Sequence, residues 1–275
     1  MPNMIQSSFL FNDKGWRLPE SHHRTFSKSP NWFYRTAETI PQPAVIFERA
    51  QRYLAVTGSL ERFVAKLTFL RNQLSESEYL RNILGGVCVP FVLPRLEEPL
   101  DLGDTFAQIL LPAVGSAFEG LHPDRHFKAV LQNNLSLAGR LDVQSESRYD
   151  RLVVAAIAGP VCGLYFPQAL QEYDTASQFA QMSSLPLHPG LVLSGPLDIA
   201  AALVGFPDLL FHDQFYAPVL CLSAAPHKDP RLVCCFKSYG PHLEFWCLSQ
   251  MLTPSVKQVS EQWAGGLTVF TPLDS

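Results

Sequence analysis

The chain has 275 residues, 47% of them apolar and 17% charged, with a net charge of −4; it is long enough to bury a large core without disulfide or metal staples and too apolar to stay disordered. Of its 21 Lys and Arg, 17 lie at or before Arg151, beside 16 of the 25 acids. That balance leaves no broad cationic face for a phosphate backbone, which speaks against nucleic acid as a partner.

Residues 1–42 mix aromatic, basic and turn-forming residues without a steady period, as in GWRLPESHHRTFSKSPNWFYR, and read as an extended arm. Trp16, His22, His23, Arg24, Trp32, Phe33, Tyr34 and Arg35 could stack on a single strand of nucleic acid. So dense a set of aromatics is better explained as covering the core of its own chain or of a neighbouring subunit.

Residues 43–140 carry a helical pattern. Pro43 suits a first helical turn, with Val45, Ile46, Arg49, Tyr53 and Val56 following and Thr57-Gly58 as a stop. Ser59 caps a second helix whose apolar stripe is Leu60, Phe63, Val64, Leu67 and Leu74, and Ser75-Glu76-Ser77-Glu78 offers a capping box for a third, ending at Gly85-Gly86. Val87 to Leu93, interrupted by Pro90, suits an edge strand or connector. Asp101 or Asp104 starts a helix bent or interrupted at Pro112, and Phe127, Val130, Leu131 and Leu135 predict another, stopping at Gly139. Polar residues 140–150 mark the boundary with an α+β sheet region over 150–275, and the two halves are compatible with a single domain.

The stretch from Leu152 to His227 holds neither Lys nor Arg, which predicts burial. Leu152 to Ala158 and Val161 to Phe166 read as a buried hairpin about Gly159-Pro160, Pro167 opens a helical stretch through Leu170, Tyr173 and Phe179, and Leu191 to Leu193 is a strand closed by Gly195-Pro196. The two strand-Gly-Pro units hint at an internal duplication. Asp198 then sits in the first turn of a short helix, Leu197 to Val204. Phe215 to Ala224, Arg231 to Tyr239 and His242 to Gln250 predict a three-strand antiparallel meander, in whose last strand Leu243, Phe245 and Cys247 share one face. Thr253 caps a last helix, Gly265-Gly266 ends it, and Leu267 to Phe270 add a strand. The fold class is therefore α+β, a helical N-terminal half packed on a mainly antiparallel sheet with flanking helices.

No stretch reads as a membrane span, since the most apolar one, Leu191 to Phe211, contains two aspartates and two prolines, and the start of the chain lacks a secretory signal. With six cysteines and no CxxC pair, the expectation is a soluble, cytoplasmic protein. Cys234 and Cys235 point to opposite faces of one strand and read as small core residues, with Cys221 and Cys247 across the meander.

Candidate chemistry is sparse, and no cofactor is implied. His122, Asp124 and His126 have metal-ligand spacing if a helix begins at His122, although Pro123 occupies the position where a zincin-like motif has glutamate. A capped helix start with its polar residues in water explains them better, and Arg125 adds the alternative of an anion at the helix N-terminus. His212 and Asp213 are the catalytic candidates, an imidazole held by a carboxylate. Asp198 and Asp208 have no local cation, so each must cap a helix, face water or meet a base from the front half.

Two functions follow. The first is a non-enzymatic ligand-binding or assembly protein using an apolar pocket or interface, its partner an apolar small molecule, a protein or a second copy of the chain. The alternative is a metal-assisted or acid/base hydrolase built on the His/Asp candidates. Either way, the cleft is expected where the helical half meets the base-free stretch.

Overall fold

The computed structural model describes residues 9–18, 35–171, 173, 175–211, 218–249 and 265–274. Two helices come first, α1 (Pro43–Leu54) and α2 (Leu60–Glu76). As expected, Pro43 lies in the first turn of α1 and the Ser59 hydroxyl accepts the Arg62 N–H at the start of α2. The buried stripe of α2 is Phe63, Leu67, Leu70 and Leu74, whereas Val64 is 41% exposed; strict i, i+4, i+7 spacing places Leu70, not Val64, on the inner face. The expected third helix is only a 3-10 turn, Arg81–Gly85, because α2 itself continues through Glu76 and uses up the capping residues.

Strand β1 (Val89–Leu93) is the expected edge strand with Pro90 inside it. Asp101 caps α3 (Leu102–Thr105), which passes through a π turn (Phe106–Leu110) into α4 (Leu111–Leu121). The Leu111 N–H reaches back five residues to the Phe106 carbonyl, and the widened turn accommodates the ring and missing N–H of Pro112. The helix expected from Phe127 is instead β2 (Phe127–Leu131), which runs parallel to a later strand. Phe127 and Leu131 fit a strand face as well as a helix stripe, and the available partner strand decides between them.

Leu152 to Ala158, expected to be a strand, belongs to helix α5 (Asp150–Ala158). An apolar run of this length does not distinguish the two. Three alanines and Asp150 in the first turn favour the helix, and Val154, at 64% exposure, lies on its outer face. Strand β3 (Val161–Phe166) follows, then turns at 167–171 where a helix was expected, α6 (Thr175–Ser184), β4 (Val192–Leu193) and α7 (Pro196–Gly205). The duplication therefore dissolves, for one Gly-Pro joins a helix to a strand and the other a strand to a helix. A 3-10 turn (Pro207–Leu210) leads toward β5 (Val219–Cys221), β6 (Leu232–Tyr239), β7 (His242–Ser249) and β8 (Leu267–Pro272). The expected helix after Thr253 lies outside the described residues.

The class is α+β. One sheet has the order β1-β3-β8-β4, all antiparallel; the other is β2-β7-β6-β5, the expected meander with β2 added in parallel. Gly265 and Gly266, at φ +106° and +86°, turn the chain into β8, a backbone region that favours glycine. One buried cluster runs from Phe11 to Leu273. The Phe106, Phe236 and Phe245 rings, 5.0–6.0 Å apart, join the π turn to the inner face of the meander.

Helix α7 is the centre of the packing. Every residue of it is buried, against α1, α4, β1 and β3, because its sequence is apolar all round except for Asp198. Burying each of Leu197, Ile199, Leu203 and Val204 contributes roughly 1.5–3 kcal/mol. A side chain at Gly205 would come within 2.7 Å of Ile46, so glycine sets the approach of α1. The Asp198 carboxylate accepts the Gly195 N–H and the Tyr149 hydroxyl, each at 2.9 Å, and the Thr268 hydroxyl at 2.5 Å. Tyr149 in turn accepts the Leu197 N–H, and Ser194 bonds Thr268. Burial outweighs these bonds and raises the Asp198 pKa. The network ties the start of α7 to α5 and β8.

Candidate functional site

Where the front half meets the base-free stretch, four side chains from three segments converge. His122 closes α4, its N–H on the Phe118 carbonyl, and its ring lies 5.2 Å from Phe118 and 6.2 Å from Phe211. Its Nε2 is 2.5 Å from Oδ1 of Asp208, with 19% and 35% of the two side chains exposed. An ionised carboxylate only accepts, so Nε2 carries the hydrogen and Nδ1 is left as the basic nitrogen of the neutral ring.

Arg125 stacks its guanidinium 3.9 Å from the centre of the Phe211 ring, well inside cation–π range. Its Nη1 is buried and has no hydrogen-bond partner among the described residues. From the other side Arg35 donates to the carbonyls of Asp208, Leu209 and Phe211 and so fixes the 3-10 turn that carries Asp208. Burial lowers the Arg35 pKa, against the nearby Asp208 carboxylate. The cluster thus holds Arg35 and the His122 imidazole about the Asp208 carboxylate, with Arg125 on the aromatic floor of Phe211.

The sequence candidates are dispersed. α4 ends at Leu121, before His122, so the helix that would align His122 with His126 does not exist. Asp124 is exposed in the following turn. The His126 ring stacks on that of His242 at 3.4 Å where β2 and β7 begin, and the His126 N–H donates to Nδ1 of His242 at 3.3 Å. Among the described residues no three metal-ligating side chains converge. His212 and Asp213 lie outside the described residues, as do His22, His23, Arg24, Trp32, Phe33 and Tyr34 of the arm.

Of the arm residues that are described, Phe11 is fully buried and the Arg17 N–H donates to Ala169, so this part lies on the chain's own core. Asp208 met a partner from the front half, His122, 86 residues away; its place in a stretch without bases was the signal. Phe211 carried no such signal, being one apolar residue in an apolar run. A depression of about 370 Å³ lies elsewhere, lined by Leu135 and Leu232 among the polar side chains of Gln132, Asn133, Asp229 and Arg231. No described helix is long and apolar enough to cross a membrane. Compared with protein-family models, with curated proteins and with solved structures, the chain matches none.

Proposed function

We propose that the chain is a non-enzymatic ligand-binding or assembly protein and that His122, Arg125 and Phe211, beside Asp208, form its binding surface. The observation that carries this reading is the Arg125 guanidinium, 3.9 Å from the centre of an aromatic ring and with one buried N–H lacking a partner among the described residues. Leaving a buried donor unmet costs about 1–3 kcal/mol, a cost that an incoming acceptor would remove. The complementary ligand has an apolar body and one carboxylate, whether a small molecule or a side chain of a partner. Exposed Phe69, Tyr79 and Val154 support an interface as the setting.

The test is calorimetric titration of the full chain with 2-naphthoate and, for comparison, its neutral amide, together with native mass spectrometry for subunit number. The acid is expected to bind at least tenfold more tightly than the amide, and Arg125→Met to remove that preference, as loss of a charge-assisted bond worth about 1.5–3 kcal/mol requires. A strict monomer that binds neither compound overturns the proposal.

The 2.5 Å contact of His122 with Asp208 favours a second reading, acid/base hydrolysis with Nδ1 of His122 as the base. Among the described residues no hydroxyl or thiol is hydrogen-bonded to His122, so the nucleophile would be water. Ester hydrolysis that is abolished in His122→Gln would replace the first reading by the second.

A further inference from the structure

Four of the six cysteines meet across the meander. The register pairs Cys234 of β6 with Cys247 of β7, and Cys235 of β6 with Cys221 of β5. The Leu222 N–H donates to the Cys234 carbonyl, so the backbone of Cys234 faces β5 and that of Cys235, its neighbour, faces β7. Each cysteine pair therefore sits at a position without ladder hydrogen bonds, where opposite Cα atoms are only about 4.5 Å apart. That separation lies within the span a disulfide can bridge. The pairs occupy opposite faces: Cys234 and Cys247 belong to the main core, Cys221 and Cys235 to a second cluster with Val219, Val233 and Trp246.

We propose that Cys234 and Cys247 form a dithiol that hydrogen peroxide oxidises to a cross-strand disulfide, with Cys235 and Cys221 a second such site on the other face of the sheet. The Cys234 thiol donates to Cys247, which lowers the Cys247 pKa and raises that of Cys234, so Cys247 is the attacking sulfur. Its thiolate attacks one peroxide oxygen, the O–O bond breaks, and the departing hydroxide takes the Cys234 proton as water. The Cys234 sulfur then displaces the sulfenic oxygen of Cys247, which leaves with a second proton as water: two thiols and one peroxide give one disulfide and two waters. With Cys234 3% and Cys247 1% exposed, a bulky disulfide is excluded, and peroxide, little larger than water, is the oxidant to use. Cys88 and Cys162 are not part of these pairs; burial pushes their pKa values up to about 11 and about 12 and leaves them inert.

The test is treatment of the folded full chain with peroxide, then intact mass and an unreduced tryptic map. In wild type the thiols counted after denaturation should fall from six to two, with the peptides bearing Cys221, Cys234-Cys235 and Cys247 joined in one cluster. The Cys221→Ser/Cys235→Ser double variant should lose two hydrogens, link Cys234 to Cys247 alone, and return to its starting mass with dithiothreitol. Gain of oxygen without cross-links, a different pairing, or no reaction under conditions that oxidise the urea-unfolded chain overturns the proposal. Should the double variant not fold, fragmentation of the wild-type cluster decides the pairing.

Discussion

Helices in the base-free stretch end differently from those before it. In the front half α1 closes on its own backbone, with Ala55 in the left-handed region bonding the Ala50 carbonyl, and α2 closes through the Ser77 N–H on Leu74. In the stretch from Leu152 to His227 the backbone closures recur, Gly159 on Ala155 and Phe206 on Ala202, but side chains supplied from outside also meet the terminal carbonyls. Arg95 donates to Ile157 at the end of α5, Arg148 to Met182, Leu185 and Pro186 after α6, Arg49 to Gly205 at the end of α7, and Arg35 to the turn over Pro207–Leu210. Except at the exposed end of α5, these ends are partly buried, and their last carbonyls gain from protein donors. A guanidinium with five N–H groups serves several at once and favours the negative end of the helix dipole. The lack of Lys and Arg within the stretch therefore does not mean the absence of cations. They are imported, and they mostly grip backbone carbonyls while the acids go elsewhere, Asp198 to a cap and Asp208 to His122.

Among the described residues of the stretch Asp198 is the one fully buried carboxyl group, and its removal should have the largest effect. Asp198→Ala leaves the Gly195 N–H and the Tyr149 and Thr268 hydroxyls short of an acceptor, and at about 1–3 kcal/mol for each buried unsatisfied group should cost about 4 kcal/mol in urea unfolding. The pH dependence has a definite sign. Because the folded pKa of Asp198 lies above the ordinary 3.8, its contribution is complete below that value and declines as pH rises through the folded pKa. The substituted protein should lack that slope.

An intermediate effect is expected where an imported arginine is removed. Arg148→Met deletes three bonds to the carbonyls after α6 and should lower stability by about 2 kcal/mol. Arg148→Lys should recover less than half of it, since an ammonium is a point charge without the planar fork. Full recovery by lysine would show that charge alone, not the fork, ends these helices.

The smallest effect belongs to an arginine that reaches none of these helix ends. Arg62 is 3.6 Å from Asp274, with 65% and 55% of the side chains exposed, and Arg62→Ala should change stability by less than about 0.5 kcal/mol. A loss equal to that of Arg148→Met would erase the distinction between the two groups of arginines.

Much of this architecture was legible in the chain itself. Pro43, Ser59 and Asp101 announce the starts of three helices, the turn-bounded apolar runs announce the meander, and the apolar circumference of 196–205 announces a buried helix, because capping chemistry and side-chain period act over a few residues. Segments 127–131 and 152–158 were not legible, since each is short and apolar enough to satisfy both periods. For the first, β7 offered an open edge and settled the matter; for the second, the alanines and Asp150 were the local hints.

The candidate site was the least legible part. His122 was singled out for its spacing to His126, and the structure separates that pair and gives His122 to Asp208 instead. Composition and local backbone chemistry are enough to say that most of the described residues of 152–227 are buried, where the capped helices begin and that the acids there need partners. Only the tertiary structure decided which arginine ends which helix, which cysteines face each other and which carboxylate meets His122. Those contacts join residues far apart in the chain, and their energies depend on distances that no local pattern encodes.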